Sequence, residues 1–407
     1  MGVSLPDSTV DDEHESLDEL AQLARTAGAT VVERFVQNRT RLDGKTYVGS
    51  GMVERIKAAA AMHDANLLVF DDDLRPAQGR EIEKATGIKT IDRTELILDI
   101  FARRARTKVA RAQVELAQLE YELPRLRRLW DHLERLGGGI GTRGPGETQL
   151  ESDRRGVRVR INILKKILKG VEVDRQEQRK RRERMVRVAL VGYTNAGKST
   201  LMNALSGAGV HTEDLLFATL DATTRKLDLD GGHHALLTDT VGLIKKLPHH
   251  LVVSFHATLE EVADADLLLH VVDVSRPHSE RYMELADAVL RDMGIEEKPT
   301  RLVFNKTDRV VDGNGLERLA RVYPGALFTS AVNGEGLDEV RRAICAFVES
   351  REEVLDISIA YSDGRLISSV YDMAEVLSKT DGEEALEMRV RVSRADADRL
   401  RKLGVAD

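Results

Sequence analysis

The run Gly192-Tyr-Thr-Asn-Ala-Gly-Lys-Ser199 restricts this chain more than any other segment. Two glycines around a four-residue spacer, followed by lysine and serine, let consecutive backbone N–H groups turn around a phosphate. Such a turn works only between a buried strand and the start of a helix. The apolar run Val186–Val191 stands immediately before it. Further apolar runs follow at Ala235–Leu237, Leu267–Val272, Arg301–Phe304 and Ala326–Phe328, with helical segments between them. The reading for residues 186–350 is a doubly wound α/β domain built on a mainly parallel sheet.

Four more segments follow the loop in order: Thr219, Asp239-Thr240-Val241-Gly242, Asn305-Lys306-Thr307-Asp308 and Ser330-Ala331. The Asp308 carboxylate can accept both the N1 and N2 hydrogens of guanine, and adenine offers no such pair. GTP and GDP are therefore the expected ligands. Gly192, Tyr193, Thr194, Asn195, Ala196, Gly197, Lys198 and Ser199 should wrap the phosphates. Lys198 should reach the β and γ phosphates, and the Ser199 hydroxyl should ligate Mg²⁺. Asp239 should hold the metal through water while the Gly242 N–H senses the γ-phosphate. A second metal ligand is expected from a threonine between Ser199 and Asp239. Thr219 lies 20 residues from each and is preferred to Thr223 and Thr224. Its neighbours Phe217, Ala218, Leu220 and Asp221 then join the site. Ser330 and Ala331 are expected at the base.

Leu243 stands after Gly242, where Ras-like switches carry a water-orienting glutamine. Leucine cannot orient water. Either another residue does so or a partner completes the site, and slow intrinsic hydrolysis is expected. Asn195 has two readings. It either holds K⁺, as in the potassium-activated GTPases whose loop this one resembles, or braces the loop.

Charge is unevenly spread. The chain carries a net −7, yet residues 101–187 hold 24 basic and 12 acidic side chains. That segment has two apolar seams. Leu116, Leu119, Leu123, Leu126, Trp130 and Leu133 form one on a helix over about 105–136, with Pro124 as a candidate bend. Val157, Ile161, Leu164, Leu168 and Val171 form the other on a helix over about 148–184. An antiparallel, basic helical hairpin over 104–185 follows. Its tip, within 137–147, has six glycines among residues 137–146. Such a surface suits a polyanion, and equally a solvated helix pair.

Residues 1–17 are polar and acidic and read as a disordered tail. Residues 18–103 alternate strand and helix signals, with strands at Ala29–Val36 and Asn66–Phe70 and helices at Met52–Met62, Arg75–Thr86 and Arg93–Arg103. They form an N-terminal α/β domain. Gly49-Ser-Gly51 is too short a signal to support a second nucleotide site there. Residues 351–407 read as a small β-α-β-α domain. No run of apolar residues is long enough to span a membrane, no signal peptide is expected, and the single cysteine, Cys345, suits a reducing cytoplasm and a core position.

Several blocks resemble one family. They are Val114-Glu-Leu-Ala-Gln-Leu-x-Tyr-x-Leu-Pro-Arg-Leu126, Gly144-Pro-Gly-Glu-Thr-Gln-Leu-Glu151 with Asp153-Arg-Arg155, Val191–Leu201 and Leu216–Asp221. The chain resembles the HflX GTPases from about residue 20 onward. The resemblance implies an N-terminal α/β domain, a helical hairpin, a GTPase domain and a C-terminal α/β domain. It also implies binding to the large ribosomal subunit, with the hairpin loop directed at the peptidyl transferase centre, and splitting of stalled ribosomes under stress. Arg143, Gly144, Arg154 and Arg155 are the expected RNA contacts, and a monomer fits a ribosome ligand. Ala222 stands where the family usually has proline, and Leu243 where it often has phenylalanine. A GTPase acting in ribosome assembly or on free RNA uses the same hairpin and is the alternative.

Overall fold

The computed structural model describes residues 1–6, 10–126, 145–181, 185–207, 216–217, 219–246, 261–295, 297–310 and 313–405. The N-terminal domain runs β1 (Gly2–Ser4), α1 (Val10–Thr26), β2 (Val36–Asn38), α2 (Ser50–His63), β3 (Leu67–Phe70), α3 (Pro76–Thr86), β4 (Lys89–Asp92) and α4 (Arg93–Arg104). Strands pair in parallel as β1–β2 and β3–β4. The acidic N-terminus is therefore not a free tail. Gly2–Ser4 is buried, and α1 begins well before residue 18. Two of its acids, Asp12 and Glu15, are ion-paired to Arg281 rather than solvated. Of the strand expected at Ala29–Val36, only Val36 lies in β2. The partner strand β1 is three residues long and offers no ladder further back.

Two helices follow, α5 (Lys108–Glu122) and α6 (Pro145–Arg181). Leu116, Ile161 and Leu164 are buried between them, with Val157, Leu119, Leu123 and Leu168 beside, so the two seams meet as their spacing requires. Ion pairs Arg160–Glu115 and Lys165–Glu120 flank the contact. The first helix is shorter than its seam implied. It ends at Glu122, two residues before Pro124, which has no N–H to continue the helical ladder. Trp130, Leu133 and residues 137–144 of the glycine-rich tip lie outside the described residues.

The third unit runs β5 (Val186–Val191), α7 (Lys198–Ser206), β6 (Thr223–Asp228), β7 (His234–Asp239), β8 (Leu267–Asp273), α8 (Ser279–Asp292), β9 (Thr300–Asn305), α9 (Gly313–Val322), β10 (Leu327–Thr329) and α10 (Leu337–Glu349). The sheet order is β10-β9-β8-β5-β7-β6. All pairs are parallel except β6–β7. Strand β6 escaped the apolar-run reading because it is a polar edge strand, Thr-Thr-Arg-Lys-Leu-Asp, with only Leu227 buried. The central strand β8 is buried throughout, as a strand covered on both faces must be.

The C-terminal unit is β11 (Glu352–Ala360), α11 (Gly364–Met373), β12 (Glu375–Asp381), β13 (Ala385–Ser393) and α12 (Arg394–Lys402), an antiparallel sheet in the order β11-β13-β12. The expected β-α-β-α pattern gains a strand. Helix α11 stops at Met373, and the chain turns at Gly382, whose N–H donates to Ala385 O at 3.0 Å, to pair β12 with β13. Cys345 is half-buried at the edge of α10 and not in the core.

Candidate functional site

Strand β5 delivers the chain into the loop at Gly192, whose φ is +142°. A Cβ there would stand 2.1 Å from Val271 O on the neighbouring strand. Gly197 has φ +90°, and a Cβ would meet Asn305 Nδ2 at 2.3 Å. Both glycines are thus demanded by a close neighbour, a strand carbonyl at Gly192 and the Asn305 side chain at Gly197, as well as by torsion. Asn195 also lies at positive φ, +60°. The loop ends at Lys198, the first residue of α7, so the orphan N–H groups of that helix face the loop.

The Lys198 ammonium is buried and donates to Gly192 O and Tyr193 O, both at 3.0 Å. Burial lowers its pKa to about 8, opposed by the nearby Asp239. Ser199 Oγ donates to Asp239 Oδ2 at 2.5 Å and lies 2.7 Å from Thr219 Oγ1. Thr219 therefore sits where a second hydroxyl was sought. Thr223 is exposed, and Thr224 Oγ1 is 2.9 Å from Thr238 Oγ1 instead. Asp239 is buried, which pushes its carboxyl up against the pull of Lys198. Its Oδ1 has no hydrogen-bond partner among the described residues. A buried carboxylate oxygen left open beside two hydroxyls is a hard-oxygen donor set, and it fits Mg²⁺.

Beyond Asp239 the chain crosses the loop. Thr240 Oγ1 donates to Leu190 O at 2.7 Å. Gly242 lies so near Thr194 that a Cβ would stand 2.6 Å from its Cα. Val241 is buried in the core shared with the N-terminal domain. Leu243 exchanges backbone bonds with the loop, Thr194 N to Leu243 O at 2.7 Å and Leu243 N to Gly192 O at 3.1 Å. Its side chain points into a cluster with Ala286, Val289 and Met293 on and beside α8.

On the base side, Asn305 works as a brace. Its Nδ2 donates to Ala196 O at 2.9 Å, and its Oδ1 accepts from Ala331 N and Thr329 Oγ1 at 3.1 Å each. Lys306, at φ +67°, reaches Asp273 at 2.9 Å. Thr307 begins a short 3-10 turn, and Asp308 accepts from Ser330 Oγ at 2.6 Å. Three distant sequence segments are thereby brought together.

A cavity of about 270 Å³ lies over the loop, lined by Asn195, Gly197, Lys198, Ser199, Thr219 and Asp239 among others. Its wall also contains Arg104, Arg106 and Arg225, which the sequence reading did not assign. Arg104 and Arg106 come from the α4–α5 junction. Their signal was present only as part of the basic segment. The same junction grips the segment around Thr219. Asp221 accepts from Arg106 N at 3.1 Å, Thr107 N at 3.3 Å and Thr107 Oγ1 at 2.5 Å. Thr107 in turn caps α5 through Ala110 N. Phe217 stacks edge-on against Phe101 at 4.7 Å, and Leu220 is buried. Ala218 lies outside the described residues, as do Arg143 and Gly144. Arg155 is exposed on α6 and Arg154 half-buried.

Three family profiles match consecutive stretches of the chain: "GTP-binding GTPase N-terminal" over 14–102, "GTP-binding GTPase Middle Region" over 104–182, and "50S ribosome-binding GTPase" over 187–306. The GTPase HflX of Caldanaerobacter subterraneus subsp. tengcongensis is 44% identical over 96% of this chain and 90% of its own length. The chain belongs to the HflX family of GTPases. The Escherichia coli GTPase HflX is 40% identical over 94% of this chain and 92% of its own length. That of Lacrimispora saccharolytica is 45% identical over 93% and 90%. As an HflX GTPase this chain binds guanine nucleotide and hydrolyses GTP. Among the described residues, no helix is long and apolar enough to cross a membrane.

Proposed function

We propose that this chain binds the large ribosomal subunit in its GTP form, splits or rescues stalled ribosomes under stress, and leaves after hydrolysis. It acts as a monomer in the cytoplasm. One observation carries the reading: Asp221, two residues from Thr219, holds the N-terminus of α5, the first hairpin helix. A loop that responds to the γ-phosphate is thus fastened to the element that would meet ribosomal RNA. The basic hairpin supplies a sequence-independent phosphate contact. Arg154 and Arg155 of α6, with Arg143 and Gly144 at the tip, are the proposed RNA contacts.

At the nucleotide, Lys198 exchanges its two carbonyl partners for the β and γ phosphate oxygens. The N–H groups of 192–199 complete the cradle. Ser199 and Thr219 would ligate Mg²⁺, with Asp239 oriented behind them. When bound, the ion neutralises charge developing on the phosphates. Asp308 selects guanine, with Asn305, Lys306, Thr307, Ser330 and Ala331 shaping the base pocket. Arg104 and Arg106 add positive charge at the phosphate side, where transition-state charge gathers.

The test combines GTP turnover with sedimentation on purified large subunits. Turnover should rise on adding subunits, and binding should be tighter with a non-hydrolysable GTP analogue than with GDP. Equal binding in both nucleotide states, with no change in turnover, would overturn the reading. Stronger binding to assembly intermediates than to mature subunits would shift it to ribosome assembly.

A further inference from the structure

The junction between the GTP-binding and C-terminal units carries a cluster that nucleotide chemistry does not use. The β6–β7 hairpin turns through Asp230-Gly-Gly232 and presents His233, only 9% exposed. Its Nδ1 is held at 2.7 Å by the carboxylate of Glu352, the first residue of β11. The ring is thereby oriented with Nε2 toward α10, 3.5 Å from Glu349 Oε1. Cys345 lies one helical turn before Glu349 on the same face, with Sγ 3.7 Å from that oxygen. The three ligand atoms lie within 4.8 Å of one another.

These separations can be compared with a metal site. Zinc bond lengths of about 2.0–2.3 Å at tetrahedral angles place nitrogen and oxygen about 3.3 Å apart, and sulfur and oxygen about 3.5 Å apart. The two separations to Glu349 Oε1 exceed those values by about 0.2 Å, and the sulfur and nitrogen donors lie within 4.8 Å of each other. A carboxylate on the far nitrogen of a ligating histidine is the usual means of fixing its tautomer. Arg391 approaches Glu352 at 3.9 Å, but its guanidinium bonds Glu375 and Gly231 O.

We propose that His233, Cys345 and Glu349 form a binding site for a zinc-like divalent cation, with Glu352 orienting the histidine and a fourth position open to water. The sulfur and nitrogen donors separate it from the all-oxygen nucleotide site, which suits Mg²⁺. Binding displaces the Cys345 thiol proton to solvent and leaves thiolate on the metal. Its place is informative: α10 and the β6–β7 turn belong to the GTP-binding unit, and Glu352 to the next. The three ligands thus come from the GTP-binding unit alone, while Glu352 of the next unit sets the histidine that completes the site.

Cys345 is the only cysteine, so its alkylation reports on the site directly. The full chain is held in excess Mg²⁺ and GDP, and zinc is added. One equivalent should slow alkylation at least about tenfold, since a metal-bound thiolate is a poor nucleophile. Cobalt should give a thiolate-to-metal charge-transfer band. That band should vanish in Cys345→Ser. Apparent affinity should fall by at least about tenfold in Glu352→Gln, which removes only the orienting partner. Glu349→Gln is exposed, should leave the fold intact, and should weaken binding too. Unchanged alkylation at one equivalent of zinc would overturn the proposal. So would a cobalt band of equal affinity in Glu349→Gln and His233→Gln, which would mean a cysteine binding metal alone.

Discussion

The Arg93 guanidinium donates to the main-chain carbonyl of Lys245, 3.3 Å away and three residues beyond Gly242. Arg93 belongs to the N-terminal domain, whereas Lys245 continues the segment that crosses the phosphate loop. The same guanidinium bonds Asp71 Oδ1 at 2.6 Å and Glu19 Oε2 at 3.0 Å, with almost no exposure at Arg93 or Asp71. Lys246 Nζ reaches Asp71 at 2.6 Å and Asp72 at 2.5 Å. Tyr193 of the phosphate loop donates its hydroxyl to Glu19 at 2.6 Å and accepts from Lys245 N at 2.7 Å. One buried network therefore joins the N-terminal domain, the phosphate loop and the segment after Gly242.

Arg93→Ala should destabilise the chain by about 3–5 kcal/mol, because it leaves buried carboxylates without their cation. Burial alone would raise the Asp71 carboxyl, but Arg93 and Lys246 outweigh it and hold it well below the ordinary range. A folded-state pKa held down stabilises at pH values above the unfolded one, about 3.9, and that stabilisation is lost as pH falls below it. Urea midpoints should therefore be level near neutrality and drop below about pH 4, with a smaller drop in Asp71→Asn. An acid profile identical in both proteins would remove Asp71 from the account.

Thr107→Ala should uncouple the nucleotide from the hairpin. It deletes the α5 cap, about 1 kcal/mol, and the hydroxyl bond to Asp221. Asp221→Ala deletes the other partner. GDP affinity should hold within a few-fold in each variant, while preference of the large subunit for the GTP form should shrink. Because the hydroxyl bond lost in Thr107→Ala is one of the three that Asp221→Ala removes, the double variant should lose little more than Asp221→Ala alone. Additive losses would show that the two residues act separately.

Asp308→Asn should lower GTP affinity about a hundredfold, the loss expected when two bonds from guanine to a carboxylate are weakened. Xanthosine triphosphate should gain, since the asparagine N–H can donate to the 2-oxo group. Asp308 is exposed, so thermal stability should not change. Competition binding against a fluorescent guanine nucleotide reads both effects. An unchanged GTP to xanthosine triphosphate ratio would place the base elsewhere.

Ser199→Ala should abolish the tightening of GTP binding by Mg²⁺ while leaving binding in EDTA almost intact. The hydroxyl sits 2.7 Å from Thr219 Oγ1 and 2.5 Å from Asp239, and the variant keeps every backbone donor of the loop. Thr219→Ala should show a weaker form of the same defect. A Mg²⁺ effect of full size in Ser199→Ala would exclude it as a ligand.

What the sequence discloses is what local chemistry encodes. The loop is legible because Gly192 and Gly197 admit no Cβ and Lys198 opens a helix. The helix seams are legible because Leu116 and Leu164 obey a helical period. Strand β6 is not, since Thr223–Asp228 sits at an edge and buries one residue. The N-terminal segment misleads, because acidic residues read as solvated unless their partners are known, and Arg281 lies 269 positions from Asp12. The grip of Thr107 on Asp221 leaves no local trace either. Neither residue departs from what a helix cap or a polar loop would require by itself. Cross-domain contacts of this kind are selected by three-dimensional placement, and a single sequence carries no periodicity that marks them.

Leu243→Gln should not create a fast Ras-like GTPase. The position follows Gly242, and sequence order alone aligns it with the water-orienting glutamine. Its side chain, however, is 5% exposed and packs on Ala286, Val289 and Met293, while only its backbone touches the loop. A glutamine amide there would be buried without partners at a cost of about 1–3 kcal/mol. Basal turnover should stay within a few-fold of the parent and the thermal midpoint should fall. Turnover raised about tenfold with stability retained would mean that the side chain swings into the cavity during hydrolysis, and that this residue, rather than a ribosomal component, can position the attacking water.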